Sequence, residues 1–176
     1  MRICLDAREV REITTGIGRY SLNLVQHMAR LDPENEYLVL QRPACPDPFV
    51  DQENFKTIVV PYGISHIRNI IGGASAINPL QADIYHALHH FLPFDVSAGR
   101  IVITLHDLIW VTHARLAYES RWLSQLRRRT AGPFVGRSAL AADHIIAISE
   151  STRQAAVSHY GLPDAKFTVI HHGVDP

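Results

Sequence analysis

Seven short runs of mostly apolar residues, each separated from the next by a longer helical or irregular segment, constrain the fold of this 176-residue chain most. Most of these runs are continuous rather than alternating in polarity, which is typical of strands covered on both faces in a parallel sheet. The runs span Arg2–Leu5, Tyr37–Leu40, Thr57–Val60, Asp83–His86, Ile101–Leu105, His144–Ile148 and Phe167–Ile170. Strands that alternate with helices predict right-handed βαβ crossovers and therefore an open, doubly wound α/β sheet.

Helical spacing of apolar residues is clearest in Gly18–Leu31. Thr15 can cap the start of this helix, and Asp32-Pro33 is a stop signal. Further helical patterns cover Tyr118–Leu126, Ser138–Ala142 and Ser149–Tyr160, with a predicted break at Gly132-Pro133. Ser149 or Ser151 is the expected cap of the last helix, and Gly161 its expected end.

Composition narrows the class of protein further. The chain has 17 basic and 17 acidic side chains, and this zero net charge argues against a general nucleic-acid binder that neutralises phosphates. Cys4 and Cys45 have neither metal-site spacing nor a disulfide pattern, and Cys4 lies in an apolar run. Charges interrupt the N-terminal apolar run, and no apolar stretch approaches the length of a membrane span. We therefore expect a cytoplasmic protein.

Polar and titratable residues follow nearly every predicted strand. Open parallel sheets bind ligands beyond the carboxyl ends of their strands, so these residues are candidates for a site. They are Asp6, Arg8, Gln41, Arg42, Tyr62, His86, His106, Asp107, Ser149, Glu150, His171 and His172. Several of the 11 histidines thus fall on one predicted rim of the sheet. Adjacent residues on an extended chain point to opposite sides, so His106 and Asp107 are not expected to pair with each other.

A glycine-rich segment, Thr14–Tyr20, opens the first helix. Glycine lets the backbone approach a ligand closely, and N–H groups at a helix start favour an anion. The pattern Gly16-x-Gly18-x-x-Ser21 only approximates a dinucleotide fingerprint, because about ten residues separate it from the first strand. An NADP-binding oxidoreductase domain using Arg42 is one alternative, and a stand-alone binding module is another.

Two further alternatives depend on single clusters. His86, His89 and His90 have helical i, i+3, i+4 spacing, which invites a metal site, but no cysteine or nearby carboxylate completes the set. A Ser-His-Asp hydrolase lacks the Gly-x-Ser-x-Gly elbow.

Six arginines against one acidic residue occupy Arg115–Arg137, where Trp122, Leu123 and Leu126 are interspersed. One interpretation is an ordinary solvated helix face. The other is a basic amphipathic surface that rests on anionic lipid or grips a phosphate, with Arg121, Arg127, Arg128 and Arg129 as the residues expected to face a membrane.

The order of motifs along the whole chain resembles glycosyltransferase family 4, a family of retaining enzymes. The motifs are Asp6-Ala7-Arg8, Thr15–Tyr20, Leu31–Tyr37, Asp83–His86, Thr104–Leu108, Ala142–Ser151 and Val169–Asp175. The resemblance implies one half of a GT-B architecture, in which two Rossmann-like domains face each other across a cleft. Residues 1–173 would be the N-terminal, acceptor-side domain, and 174–176 the start of the interdomain linker. A second domain, which carries the Glu-x7-Glu motif, would follow.

The resemblance also implies roles for individual residues. Gly16, Ile17 and Gly18 would approach the donor diphosphate, while His106 and Asp107 would serve catalysis, His106 by the transferring sugar and Asp107 by bracing its loop. The expected acceptor-side residues are Arg19, Tyr20, His86, Ser149 and Glu150. The donor would be a nucleotide diphosphate sugar, with GDP-mannose as one candidate, and neither a metal nor another cofactor would be required. The acceptor would be a glycan or a lipid-linked molecule at the membrane face.

This sequence departs from the family's pattern after His106-Asp107. It has Val111-Thr112-His113-Ala114-Arg115 where relatives often carry a His-Pro-Glu-like segment, so the contacts of that loop are open.

Overall fold

A computed structural model of the chain shows the seven predicted strands with helices between them. It describes residues 1–11, 15–45, 47–112 and 121–173, with the backbone alone at 110, 121–128, 130 and 131. The strands are β1 (Arg2–Asp6), β2 (Glu36–Gln41), β3 (Phe55–Val59), β4 (Ile84–Ala87), β5 (Arg100–Leu105), β6 (His144–Ala147) and β7 (Phe167–Val169). The helices are α1 (Gly16–Leu31), α2 (Ile67–Gly72), α3 (Ala74–Ile77), α4 (Ile109–Thr112), α5 (Arg121–Ala141) and α6 (Glu150–Tyr160). Short 3₁₀ turns lie at Asn78–Leu80 and Asp164–Lys166.

The strands form one sheet in the order β3-β2-β1-β4-β5-β6-β7. β1 pairs in parallel with β2 and β4, so that Cys4 lies opposite Leu38 on one side and Tyr85 on the other. β3 runs parallel to β2, and β7 runs parallel to β6. The predicted α/β fold with a doubly wound parallel sheet is therefore confirmed, because the strand order reverses direction beside β1.

The chain divides into two compact units, residues 1–102 and 103–176. In the first unit, β1, β2 and α1 bury one apolar cluster that includes Ile3, Leu5, Val25, Tyr37 and Val39. In the second unit, the buried apolar side chains include Ile103, Leu105, Val135, Ala139, Ile145, Ala147 and Ala156. Cys4 is a free, buried thiol, as its apolar run predicts. Burial raises the pKa of this thiol, and the nearby Asp6 carboxylate adds to the effect.

Helix α1 starts and ends where the sequence predicts. Thr15 is its N-cap, and the Thr15 hydroxyl accepts a hydrogen bond from the Gly18 N–H at 3.2 Å. Asp32 ends the helix and folds back on the next turn, where its carboxylate accepts from Asn35 and from the Tyr37 hydroxyl. These hydrogen bonds tie the end of α1 to the start of β2.

The predicted break at Gly132-Pro133 is wrong, because α5 runs through both residues from Arg121 to Ala141. The glycine before the proline removes the side chain that would clash with the proline ring, so helical backbone is tolerated there. The Tyr160 hydroxyl of α6 donates to the Gly132 carbonyl at 3.0 Å, and the buried residues Val135 and Ala139 anchor the following turns. Packing against α6 therefore offsets the intrinsic cost of the proline.

Two short helices, α2 and α3, have no counterpart in the prediction. Their sequence carries Gly72-Gly73, which favours an irregular loop, and helix α2 is capped by an uncommon group, the Nδ1 atom of His66. That ring nitrogen accepts a hydrogen bond from the Arg68 N–H at 3.1 Å. Asn69 also holds this helix in place, because its buried side-chain amide donates to the Ile64 carbonyl at 2.8 Å.

Candidate functional site

Asp6 and Arg8 form a buried ion pair where β1 ends in the first unit. The Arg8 guanidinium donates to both carboxylate oxygens, from Nε to Oδ1 at 2.7 Å and from Nη2 to Oδ2 at 2.5 Å. Arg8 is 1% exposed and Asp6 is not exposed at all. A buried charge is costly unless it is paired and hydrogen-bonded, so neither side chain is free to leave its partner without loss of stability.

Three more polar side chains complete this network. The Tyr85 hydroxyl donates to Asp6 Oδ2 at 2.7 Å, and Asn69 Oδ1 accepts from Arg8 Nη1 at 2.8 Å. His89 Nε2 lies 3.3 Å from Asp6 Oδ2. Burial alone would raise the pKa of Asp6, but Arg8 and His89 outweigh it and hold that pKa well below its usual range. The carboxylate is therefore held in its charged form at neutral pH.

His89 is oriented by its neighbours. The Phe91 N–H donates to His89 Nδ1 at 3.2 Å, and Nε2 is the ring nitrogen that faces Asp6. His86 lies on β4 rather than on a helix, so the helical spacing that suggested a metal site with His89 and His90 is absent. In the described part of the chain, no group of three or more metal-binding side chains comes together. No local pattern in the sequence indicates that His89 lies beside Asp6, which is 83 residues away along the chain.

The glycine-rich helix start presents free space and two N–H groups. The first N–H groups of a helix have no carbonyl partner within it. The Gly18 N–H donates to the Thr15 hydroxyl, and the N–H groups of Gly16 and Ile17 lie in the same first turn of α1. Among the residues that the structure describes, none has an atom within 4 Å of a Cβ placed at Gly16. Of the three residues expected at a diphosphate, Gly18 thus serves the cap, and the contacts of Gly16 and Ile17 with a ligand stay a prediction.

The remaining expected residues of the first unit differ in exposure. Arg19 is exposed on α1, whereas Tyr20 is half-buried and packs against the apolar cluster. His86 is half-buried in β4. Tyr20 therefore has a packing role that the sequence did not distinguish from ligand contact.

In the second unit, His106 lies directly after β5 and is 5% exposed. Its carbonyl accepts a hydrogen bond from the Thr152 hydroxyl of α6 at 3.2 Å, which fixes the backbone that carries the ring. The His172 ring lies 5.6 Å away between centroids, in a tilted arrangement. The clustering of histidines at strand ends, which the sequence predicts, is thus found for this pair.

Asp107 and His106 have different surroundings, as their opposite directions predict. Asp107 is exposed, and its Oδ1 accepts from the Ile109 N–H at 3.2 Å, at the start of α4. The carboxylate holds the turn that follows His106. This contact agrees with the bracing role expected for Asp107.

Ser149 and Glu150 form the start of α6. The Ser149 hydroxyl accepts from the Thr152 N–H at 3.1 Å as the N-cap, and Gly161 ends the helix in the left-handed conformation at φ 65°. Hydrogen bonds from Arg153 and then Gln154 lower the pKa of Glu150 to about 2. Both residues therefore have local partners that account for their presence without a ligand.

The arginine-rich stretch is only partly visible. Arg129 is exposed on α5, while the side chains of Arg121, Arg127 and Arg128, and all of residues 113–120, lie outside the described residues. None of the helices described for this chain is long and apolar enough to cross a membrane.

These features define a doubly wound α/β domain with a parallel sheet, in which a capped helix with a glycine-rich start follows the first strand. More specifically, the chain belongs to Glycosyltransferase Family 4, whose sequence model matches residues 14–176. The oxidoreductase alternative is therefore not favoured. The resemblance found in the motifs is confirmed at the level of the family.

Solved glycosyltransferase structures share this fold. The chain is similar to a glycosyltransferase from Rickettsia africae ESF-5, with a TM-score of 0.53 and 15% identity over 99% of this chain and 43% of that one. It is also similar to the apo form of the lipopolysaccharide outer core galactosyltransferase WaaB, with a TM-score of 0.53 and 12% identity over 99% of this chain and 46% of that one. The chain thus spans less than half the length of either structure. Comparison with curated proteins gave no match.

Proposed function

We propose that this chain is the acceptor-side domain of a retaining glycosyltransferase. The complete enzyme moves a hexosyl group from a nucleotide diphosphate sugar, with GDP-mannose as the first candidate, to a hydroxyl of a glycan or lipid-linked acceptor. The observation that carries the proposal is the family match over residues 14–176.

The donor diphosphate is assigned to the start of α1. Gly16 and Ile17 offer backbone N–H groups at the positive end of a 16-residue helix, where negative charge is stabilised. As the sugar leaves, charge grows on the diphosphate, and preorganised N–H donors stabilise that charge without reorganising. The open space at Gly16 lets the phosphate approach the backbone. Gly18 supports this site through the cap.

His106 is assigned to the reacting groups. A nearly buried imidazole on a fixed backbone can orient a hydroxyl of the sugar or acceptor and take part in proton transfer. Asp107 holds the loop that carries it. The acceptor is assigned to Arg19, Tyr20, His86, Ser149 and Glu150, of which Arg19 has the greatest freedom to contact a ligand.

A second domain completes the proposed site. Residues 1–173 would supply the acceptor side, residues 174–176 would begin the linker, and the partner domain of the same enzyme would supply most contacts to the nucleotide. Transfer would need neither a resident metal nor another cofactor. The enzyme would work in the cytoplasm, peripherally at the inner face of the membrane, where the exposed Arg129 of α5 would contact anionic lipid.

A donor panel tests this function. The two-domain protein is incubated with UDP-, GDP- and dTDP-sugars and a set of glycan and lipid-linked acceptors, and sugar incorporation is measured before and after dialysis against a chelator. We expect incorporation from one class of donor, unchanged by the chelator, and none from the 176-residue chain alone. Failure of every donor, together with saturable NADPH binding, would overturn the proposal.

A further inference from the structure

The outer face of α2 carries a groove with exposed apolar side chains. Ile67 and Ile71 are four residues apart, on one side of the helix, and are 59% and 68% exposed. Together with Tyr62, Arg68, Gly72 and Ser75 they line a groove of about 480 Å³. Exposed large apolar side chains that share one face indicate contact with a partner or a membrane.

Two guanidinium groups without acidic partners in the described residues lie at this groove, Arg68 in its lining and Arg42 near Gly63, next to the lining residue Tyr62. Within the described ranges, the side chains of Arg68 and Arg42 form neither an ion pair nor a hydrogen bond. Arg68 lines the groove, and Arg42 Nη1 lies 3.6 Å from the position that a Cβ at Gly63 would occupy, beside Tyr62. The sequence from Asn54 to Ala82 contains neither Asp nor Glu. The groove is therefore apolar and basic at once.

The groove cannot close by turning its isoleucines inward, because α2 is fixed to the buried network. Asn69, on the inner side of α2, accepts from Arg8 and donates to the Ile64 carbonyl. Gly73 packs so tightly that a Cβ there would come within 2.9 Å of Pro93. The exposure of Ile67 and Ile71 is thus imposed by the contacts beneath them.

We propose that the α2 groove docks on an anionic lipid bilayer. Ile67 and Ile71 enter the boundary between headgroups and acyl chains, and Arg68 and Arg42 contact lipid phosphates. A bilayer surface supplies both an apolar layer and negative charge, which is the combination that this surface complements. This inference deepens the membrane association proposed above but places the contact on a surface other than α5. Its test requires no donor sugar, so it can fail while glycosyl transfer stands.

Vesicle co-sedimentation of the full chain measures this contact. The vesicles contain either phosphatidylcholine alone or phosphatidylcholine with phosphatidylglycerol. We expect binding only to the anionic vesicles, weakening as salt is raised. Arg68→Gln should weaken binding about fivefold, the effect of one basic residue at a charged surface. Ile71→Glu should weaken it about tenfold or more, because it removes apolar contact and adds repulsion.

Leu31→Glu is the matched control. Leu31 is an equally exposed apolar residue, but it ends α1 beside the start of β2, at the opposite edge of the sheet from Tyr62. This variant should bind as the unchanged chain does, and circular dichroism should show that all three variants are folded. Binding that survives Ile71→Glu and Arg68→Gln but is lost in Arg129→Gln would overturn the proposal in favour of α5. The absence of vesicle binding would also overturn the proposal. If the chain self-associates instead and Ile71→Glu abolishes that self-association, the groove is a contact between copies of the chain.

Discussion

Arg8 and Asp6, two residues apart at the end of β1, are joined by a two-point ion pair that is almost completely removed from solvent. The pair is extended by Tyr85, by His89 and by Asn69, and so it links β1 to β4 and to α2. Asp6-Ala7-Arg8 is the first motif of the family resemblance. Its two charged residues form the centre of the buried polar network at the end of β1 and therefore have a structural role.

Removing one member of this pair should destabilise the chain strongly. Arg8→Ala leaves the Asp6 carboxylate buried without its main partner, and we expect a loss of about 3–5 kcal/mol in the free energy of unfolding. Arg11→Ala is the control, because Arg11 forms an exposed ion pair with Glu9, and it should cost at most about 1 kcal/mol. Urea unfolding measures both. Equal losses in the two variants would show that the buried pair has no special role.

Acid should destabilise the chain partly through Asp32. Hydrogen bonds from Asn35 and then Tyr37 lower the pKa of the Asp32 carboxyl to about 2. Because the folded pKa lies below the unfolded value of about 4, the stabilisation is complete above pH 4 and is lost as the pH falls towards 2.

Comparison with Asp32→Asn isolates this contribution. Unfolding is measured from pH 7 to pH 2, and the loss of stability on acidification should be smaller in Asp32→Asn than in the unchanged chain. Asp51→Asn serves as the control and should follow the unchanged chain. If the free energy of unfolding of Asp32→Asn depends on pH as that of the unchanged chain does, the acid sensitivity comes from other carboxyls. Glu36 is one candidate, because hydrogen bonds from Lys56 and then Arg2 lower its pKa to about 2.

Two substitutions at Ser149 distinguish a helix-capping role from an acceptor-binding role. Ser149→Ala removes the acceptor for the Thr152 N–H and should cost about 1 kcal/mol of stability. Ser149→Asp supplies another capping oxygen and should restore most of that loss. Thermal unfolding measures stability, and the acceptor KM of the two-domain protein measures binding. A raised KM in Ser149→Asp, despite restored stability, would show direct acceptor contact, whereas an unchanged KM would leave the serine as a cap.

The strands and the ends of α1 and α6 were predictable because short-range signals determine them. Continuous apolar runs mark the strands, and the caps Thr15, Ser149 and Gly161 each act within a few residues of their own position. The path of α5 through Pro133 was not predictable, because it depends on packing against Tyr160, which is distant in the sequence.

The positions of the candidate residues along their strands were predictable, but their pairings were not. Parallel strands bring their carboxyl ends to one edge, so Asp6, Arg8, His86 and His106 could be assigned to strand ends from the sequence. That Arg8 is buried on Asp6, and that Asn69 of an unpredicted helix accepts from it, depends on long-range contacts. Polar residues at strand ends look alike in sequence, whether they bind a ligand or stabilise the fold.

Gly16 tests the assignment of the donor diphosphate. A Cβ at this position meets no atom of the described residues within 4 Å, so Gly16→Ala should leave the free energy of unfolding within about 1 kcal/mol of the original. In the two-domain protein it should raise the KM for the nucleotide sugar about tenfold, since the added methyl group weakens a charge-assisted hydrogen bond. Gly72→Ala, which also meets no atom within 4 Å, is the control and should leave KM unchanged. An unchanged KM in Gly16→Ala would move the diphosphate away from α1.

The most direct test of the central claim is the turnover of His106→Ala in the two-domain protein, measured as sugar transferred from its preferred donor. We predict a loss of about a hundredfold in kcat, with native circular dichroism, because His106 orients or protonates the reacting groups. His144→Ala is the matched control. His144 lies at the start of β6 and hydrogen-bonds to the Thr168 hydroxyl of β7, so this variant should retain full turnover. Near-original turnover in His106→Ala would contradict the account and remove His106 from the site.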